Sequence, residues 1–290
     1  MKYVFLNGSF LPKEEAKISV EDRGFLFGDG IYEVIRAYNG KLFRLDDHIE
    51  RLFHSAEAIR LPQIYTADEI KENVKKLLDM SDEKDVEVYI EWTRGVAPRE
   101  HAFPEKSTPT FLIMLLKPHS SPPERYRTGA KVVSFPEIRW KYPYIKTVNL
   151  LPNVLAKQHA KEQGAFEAIF VHQDSKIVTE GSSSNILMVK DGKVYCHETD
   201  ESILFGITLK VVMEICEKLG IDYIGKKFTY DEMIRADEVF LSGTGAEIMP
   251  VVKVDDHTIS DGKPGELTKK ILAEFLKMTW RGDKISEYME

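Results

Sequence analysis

The chain has 290 residues, of which 43% are hydrophobic and 30% charged, with a formal net charge of −7. This is an ordinary globular mixture, long enough for two compact units rather than one. The charge is spread along the chain with no long basic run, which disfavours a nucleic-acid role, and no apolar stretch approaches the length of a membrane span.

Asn7-Gly8 is turn chemistry, so Tyr3 to Phe10 reads as a hairpin and not as a secretory signal. A second hairpin runs from Ile31 to Tyr38, turns at Asn39-Gly40 and returns through Lys41-Leu42-Phe43. Asp46 is expected to cap a helix whose Ile49, Leu52, Phe53, Ala56 and Ile59 recur at helical spacing. A further helix over Ala67 to Leu78 and strands at Val86 to Thr93 and Thr110 to Leu116 complete a small α+β domain over residues 1–118.

Residues 119–127, with His119-Ser120-Ser121-Pro122-Pro123-Glu124 at their start, read as an interdomain linker. Residues 128–278 form the larger, strand-rich domain. Strands are expected at Ala130 to Phe135, Ala165 to Val171, Ile177 to Thr179 and Glu238 to Ser242, and a hairpin turns at Asp191-Gly192. One helix follows Asn149 and ends at Gly164, another runs from Gly206 to Gly220, and a last one covers Leu267 to Met278. The tail, 279–290, is polar and expected to be peripheral. Cys196 and Cys216 lack metal-ligand spacing and read as structural thiols of a reducing, cytoplasmic compartment; no metal site is expected.

The densest chemistry lies in Thr179-Glu180-Gly181-Ser182-Ser183-Ser184-Asn185, which follows the apolar Ala168-Ile169-Phe170-Val171. It is either a Ser-rich turn between strands or the wall of a site for a polar aromatic cofactor, with Glu180 on a protonated ring nitrogen. Lys146 stands among apolar neighbours just before a helix. Burial there would lower its pKa, as an imine-forming lysine requires, although a lysine alone is more often a solvated surface group. Leu204-Phe205-Gly206-Ile207-Thr208 opens a helix, where the N–H groups of Ile207 and Thr208 are free to hold an anion or simply begin a helix. Ser242-Gly243-Thr244-Gly245-Ala246 is a second such loop. Arg51, off the core-facing stripe of its helix, either meets solvent or grips a phosphate. In Ala97-Pro98-Arg99-Glu100-His101, alternation lets Arg99 and His101 converge on one carboxylate. Together these residues make the kit of a pyridoxal 5'-phosphate enzyme acting on amino acids.

From about Tyr3 to Met278 the chain also resembles the fold-type IV (class IV) aminotransferases. The resemblance rests on Asp22-Arg23-Gly24, on Phe27-Gly28-Asp29-Gly30-Ile31-Tyr32-Glu33, on His48-Ile49-Glu50-Arg51-Leu52, on Ile145-Lys146-Thr147-Val148-Asn149-Leu150-Leu151 and on the 179–185 motif. It implies a small α+β domain and a larger pseudo-barrel domain with the cofactor between them, and a homodimer. It implies that Lys146 forms the imine and shuttles the Cα proton, that Glu180 faces the pyridine nitrogen, and that Arg51, Ile207, Thr208 and Thr244 hold the phosphate. Leu204 would pack on the ring, Ser183 and Ser184 would lie around the cofactor, and Tyr32 would project into the substrate pocket.

The implied reaction is a ping-pong transamination between an amino acid and a 2-oxo acid such as 2-oxoglutarate. The Arg99-x-His101 pair is similar to the α-carboxylate clamp of D-amino-acid aminotransferases, where it reaches in from the partner subunit. Branched-chain enzymes usually carry an arginine two residues after a tyrosine where this chain has Tyr89-Ile90-Glu91. Against that, Glu33 to Tyr38, with Arg36 on the face of Tyr32, and Gly243 to Ile248 read closer to branched-chain enzymes. The balance favours a D-amino-acid aminotransferase; a branched-chain L-amino-acid aminotransferase is the alternative, and an aminodeoxychorismate lyase stands behind it.

Overall fold

The computed structural model describes residues 1–289. The chain divides into two compact units, residues 1–118 with 145–150, and residues 119–144 with 151 onward.

The first unit is an antiparallel sheet of six strands covered by helices. Its strands are β1 (Tyr3–Leu6), β2 (Ser9–Pro12), β3 (Gly30–Tyr38), β4 (Lys41–Leu42), β5 (Val86–Thr93) and β6 (Thr110–Leu116), in the order β2-β1-β6-β5-β3-β4. The helices are α1 (Arg23–Phe27), α2 (Leu45–Ala58) and α3 (Ala67–Asp79). Strand alternation sorts the side chains into two faces. Ile31, Ile35, Val88, Ile90, Trp92, Phe111 and Ile113 pack against Ile49, Leu52, Ile70, Val74 and Leu77 of α2 and α3. Each such buried side chain contributes roughly 1.5–3 kcal/mol. The opposite face, with Tyr32, Val34, Tyr89, Glu91, Leu112 and Met114, is only half-buried in this unit.

Asp46 is not the cap of α2. The helix starts at Leu45, after Arg44 in the left-handed region (φ 56), with no side-chain cap, and Asp46 and Asp47 sit in its first turn. There they offset the positive end of the helix dipole instead. Helix α3 does carry a cap, the reciprocal box of Thr66 and Glu69.

The second unit is built on a ten-stranded mixed sheet. Its elements are α4 (Pro123–Thr128), β7 (Ala130–Pro136), α5 (Leu151–Glu162), β8 (Glu167–Val171), β9 (Ile177–Gly181), β10 (Asn185–Lys190), β11 (Lys193–Cys196), α6 (Ile207–Leu219), β12 (Tyr223–Gly225), β13 (Phe228–Thr229), α7 (Tyr230–Ile234), β14 (Glu238–Gly243), β15 (Glu247–Val254), β16 (His257–Thr258), α8 (Glu266–Met278) and α9 (Ile285–Met289). The strand order is β12-β11-β10-β14-β15-β7-β8-β9-β13, with β16 on β15. The sheet curls back on itself, because β9 passes through the serine turn straight into β10 and Gly181 N donates to Ser184 O at 2.7 Å. Ala156 and Ala160 of α5 pack on Val133, Ala168 and Phe170. The α+β architecture and the barrel-like larger unit are as expected from the sequence.

Two stretches differ from their sequence reading. Residues 123–127, read as part of the linker, belong to α4 (Pro123–Thr128), which buries Tyr126 to 1% exposure. The tail read as peripheral is tied in: Thr279 is fully buried, Arg281 Nη2 pairs with Glu247 Oε1 at 2.9 Å, and Arg127 donates to Glu287 O. Glu247 is itself buried, so it needs this cation, and pairing over such a sequence distance has no local signature. Among the described residues no helix is long and apolar enough to cross a membrane, and no group of three or more His, Cys, Asp or Glu side chains could hold a metal ion.

Candidate active site

Lys146 is fixed by its backbone. Tyr32 N donates to Lys146 O at 3.0 Å, Val148 N to Gly30 O at 3.1 Å, and Lys146 N to Ser55 Oγ of α2 at 3.3 Å. Ile31 and Thr147 bridge, so residues 146–148 extend the sheet beside β3. Gly28, at φ 66, lets the chain pass Asn149, whose amide donates to Gly28 O at 3.0 Å; a Cβ there would collide with that amide. This register puts the half-buried Lys146 side chain on the open face, with Nζ 4.3 Å from the centroid of the Tyr32 ring. Tyr32 stacks on Tyr89, centroids 5.8 Å apart, and Tyr89 OH donates to Glu91 Oε2 at 2.8 Å. Burial pushes the Glu91 carboxyl above its ordinary value, against the Tyr89 hydrogen bond.

Arg51 is not a solvated side chain. Its Nε and Nη2 grip Glu33 at 2.6 and 2.9 Å, and His48 Nδ1 lies 2.8 Å from the same carboxylate. Burial alone would raise the fully buried Glu33, but Arg51 and His48 outweigh it and hold the carboxyl far below the usual range. Glu33 therefore contributes stability above the ordinary carboxylate pKa, and that stability is lost as pH falls below it. Glu33→Gln is expected to cost about 3–5 kcal/mol at neutral pH by taking the buried carboxylate away from Arg51 and His48. It should also flatten the acid limb of the stability curve; urea unfolding at neutral and acidic pH reads both.

Arg99 and His101 are exposed and meet over one ring: Arg99 Cζ is 5.2 Å and the His101 ring 5.3 Å from Phe27. The sequence reading did not anticipate what holds this loop. Arg23 donates to Glu100 O at 2.5 Å and to His101 O at 3.3 Å, while Asp29 bonds both Arg23 and Arg94 at 2.8 Å. The motif Asp22-Arg23-Gly24 was the available signal: Asp22 accepts from Gly24 N, Thr93 and Thr110, and so pins the start of α1 to the sheet. Arg36 does not recharge the face around Tyr32. Its guanidinium donates to Ala37 O at 3.1 Å and Val86 O at 3.0 Å, at the far end of the ladder.

In the second unit Glu180, on β9, is almost wholly buried. It accepts from Asn185 Nδ2 at 3.1 Å, from Leu204 N at 3.2 Å and from Arg139 Nη1. Arg139 also binds Glu137 through Nε (2.9 Å) and Nη2 (2.6 Å), and it packs over the Phe170 ring at 4.5 Å. Burial pushes the Glu180 carboxyl up to about 7, against the pull of Arg139 and Leu204 N. Asn185 was singled out from the sequence as part of the 179–185 motif, whereas Arg139 was not.

The serine motif divides its work. Ser183 N and Oγ both donate to Glu167 Oε1, at 2.5 and 3.0 Å, so Ser183 anchors the turn and its hydroxyl is engaged. Ser184 Oγ is buried with no hydrogen-bond partner among the described residues, as is Ser242 Oγ. Ser242 is the cross-strand partner of Asn185, and a Cβ on Gly243 would come within 3.2 Å of Ser184 Cβ. Gly206 precedes α6 with no side-chain cap, and its own Cβ would collide with Asn185 Oδ1. Ile207 and Thr208, buried in the first turn, thus present a helix N-terminus beside Asn185. Leu204 is half-buried and joins the two parts, its carbonyl accepting from Asn185 Nδ2 at 2.9 Å. Thr244 is half-buried in the turn after β14. Orphaned buried hydroxyls, a helix N-terminus and a buried carboxylate suit a polar aromatic group that bears a phosphate.

The family model for class IV amino-transferases matches residues 30–254. The chain is 44% identical over 277 residues to a D-alanine aminotransferase of Staphylococcus epidermidis, which covers 96% of this chain and 98% of that protein. It is 42% identical to a D-alanine aminotransferase of Bacillus licheniformis over 93% of this chain and 94% of that protein. Among solved structures it is similar to a branched-chain amino acid aminotransferase of Escherichia coli, with TM-score 0.89, 26% identity and coverage of 95% and 94% of the two chains. A branched-chain amino acid aminotransferase of Thermobaculum terrenum in its PLP form gives TM-score 0.84 at 27% identity, covering 99% of this chain and 97% of that one. On the extent of the family match and of these identities, the chain belongs to the class IV aminotransferases.

Proposed function

We propose that this aminotransferase exchanges the amino group between a D-amino acid of the D-alanine type and a 2-oxo acid, with pyridoxal 5'-phosphate as its cofactor and as a homodimer. The observation that carries the reading is the 44% identity, over nearly the full length of both chains, to a D-alanine aminotransferase. The likeness to branched-chain enzymes is high in fold but reaches only 26% and 27% in sequence, so it speaks to architecture more than to substrate.

The bound cofactor would supply an electrophilic carbon and an electron-accepting ring. Lys146 would be the residue that holds the cofactor covalently, and its amine would take the substrate Cα proton as general base and return it as general acid. Glu180, set by Arg139 and Asn185, holds a proton at the ring nitrogen. A carboxyl raised to about 7 in a buried site is placed to share that proton near neutral pH. The N–H groups of Ile207 and Thr208, the hydroxyls of Thr208 and Thr244, and Arg51 would hold the phosphate, with Arg51 aimed by Glu33. Leu204 covers the ring, and Ser184 supplies a hydroxyl beside it. Ser183 supports Ser184 through the turn. Tyr32 borders the substrate, and Arg99 with His101 grips the substrate α-carboxylate across the dimer.

Steady-state assays test the reading. With 2-oxoglutarate as acceptor, D-alanine should yield pyruvate continuously, while L-leucine should support little turnover. Efficient turnover of L-leucine with none of D-alanine would overturn it.

A further inference from the structure

We infer that Glu91 sets the side-chain specificity of this site, disfavouring substrates with a second carboxylate and favouring uncharged or cationic side chains. The inference rests on the proposed function, in which substrate reacts at Lys146 beside Tyr32.

Tyr32 and Glu91 are direct partners in the β3–β5 ladder, so their side chains leave the sheet on the same face. Tyr89, two positions before Glu91, shares that face. Lys146 Nζ lies 4.3 Å from the Tyr32 ring centroid, the Tyr89 ring stacks on Tyr32 at 5.8 Å, and Tyr89 OH donates to Glu91 Oε2 at 2.8 Å. An aromatic ledge thus begins at the reacting lysine and ends in a carboxyl.

The surroundings of Glu91 leave its charge uncompensated. Its other ladder neighbour is Leu112, and Val34 and Met114 continue the face. Among the described residues no lysine, arginine or histidine forms an ion pair with Glu91; the tyrosine hydroxyl is its hydrogen-bond partner. Arg36, the cation on β3, is bound to Ala37 O and Val86 O instead. A half-buried carboxylate with one neutral donor repels a second carboxylate and attracts an ammonium. At short range in partial burial either effect is worth roughly tenfold in relative kcat/KM. By the same argument 2-oxoglutarate is a poorer acceptor than a monocarboxylate oxo acid of pyruvate size.

The test compares the holoenzyme with Glu91→Gln, whose amide oxygen still accepts from Tyr89, and with Glu91→Leu, which removes polarity as well. The readouts are the ratio of kcat/KM for D-glutamate to that for D-alanine, the ratio for D-ornithine to D-alanine, and the calorimetric dissociation constants of unreactive glutarate and butyrate. Both variants should raise the D-glutamate ratio by roughly tenfold, lower the D-ornithine ratio and tighten glutarate relative to butyrate. Ratios and relative affinities that stay at the wild-type values in the folded variants would overturn the inference. If the wild type turns over D-alanine while the ratios do not move, the specificity claim alone falls; if the wild type turns over no D-amino acid, the proposed function falls with it.

Discussion

Lys146→Ala is expected to lower D-alanine turnover by at least roughly 10³-fold, because in the proposed reaction one side chain would supply both the covalent attachment and the proton transfer. Its position does not depend on that side chain. The bonds to Tyr32 N and Ser55 Oγ run through the Lys146 backbone, and the ammonium only overlies the Tyr32 ring. The unfolding midpoint should therefore stay close to wild type while the cofactor's absorbance in the bound, covalently attached form is lost. Steady-state assay, absorbance spectrum and urea unfolding on one preparation separate the chemical effect from a folding defect. Turnover within tenfold of wild type would remove Lys146 from the reaction.

Arg139→Met is expected to have a large effect on stability. Arg139 is the cation between the buried carboxylate of Glu180 and the largely buried one of Glu137, and its side chain is only 5% exposed. Removing it leaves two like charges facing each other in a low-dielectric site, at a cost of about 3–5 kcal/mol. The sign of the pH dependence follows from Glu180. Its folded-state pKa is raised to about 7, so its contribution is present below the ordinary carboxylate value and is lost as pH rises through about 7. Without Arg139 the carboxyl is driven higher still, so the variant should lose more stability at alkaline pH than at slightly acidic pH. Denaturant unfolding across neutrality reads this. A variant as stable as wild type on the alkaline side would mean that Arg139 does not compensate the pair.

Much of the fold was legible because its signals are local. Asn7-Gly8, Asn39-Gly40 and Asp191-Gly192 turn where such pairs turn, and the apolar stripes of α2, α3 and α6 follow the helical period. What failed lay in pairings over long sequence distances. Arg139 sits in Ile138-Arg139-Trp140-Lys141, which reads as an exposed basic loop, and its partner Glu180 is on another strand. The tail looked peripheral because Arg281 finds Glu247 only in three dimensions. Strand β15 carries Pro250, which argues against a strand when met in sequence. Arg51 was visible as a candidate, but Glu33, which aims it, was not singled out, since a glutamate within a strand has no pattern that marks it as buried. The serine run was legible as chemistry, yet not as a division of labour: Glu167 takes Ser183 and leaves Ser184 unpartnered.

The measurement that tests the central claim most directly is a single-turnover half-reaction without any oxo acid. The holoprotein is mixed separately with D-alanine, D-glutamate, L-leucine and L-glutamate while the absorbance of the bound cofactor is followed. Rapid loss of the starting band with D-alanine, slower loss with D-glutamate and no change with either L-amino acid is the predicted result. Loss with L-leucine and L-glutamate alone would contradict it, and would make this chain a branched-chain enzyme with Glu91 where those enzymes usually carry an arginine.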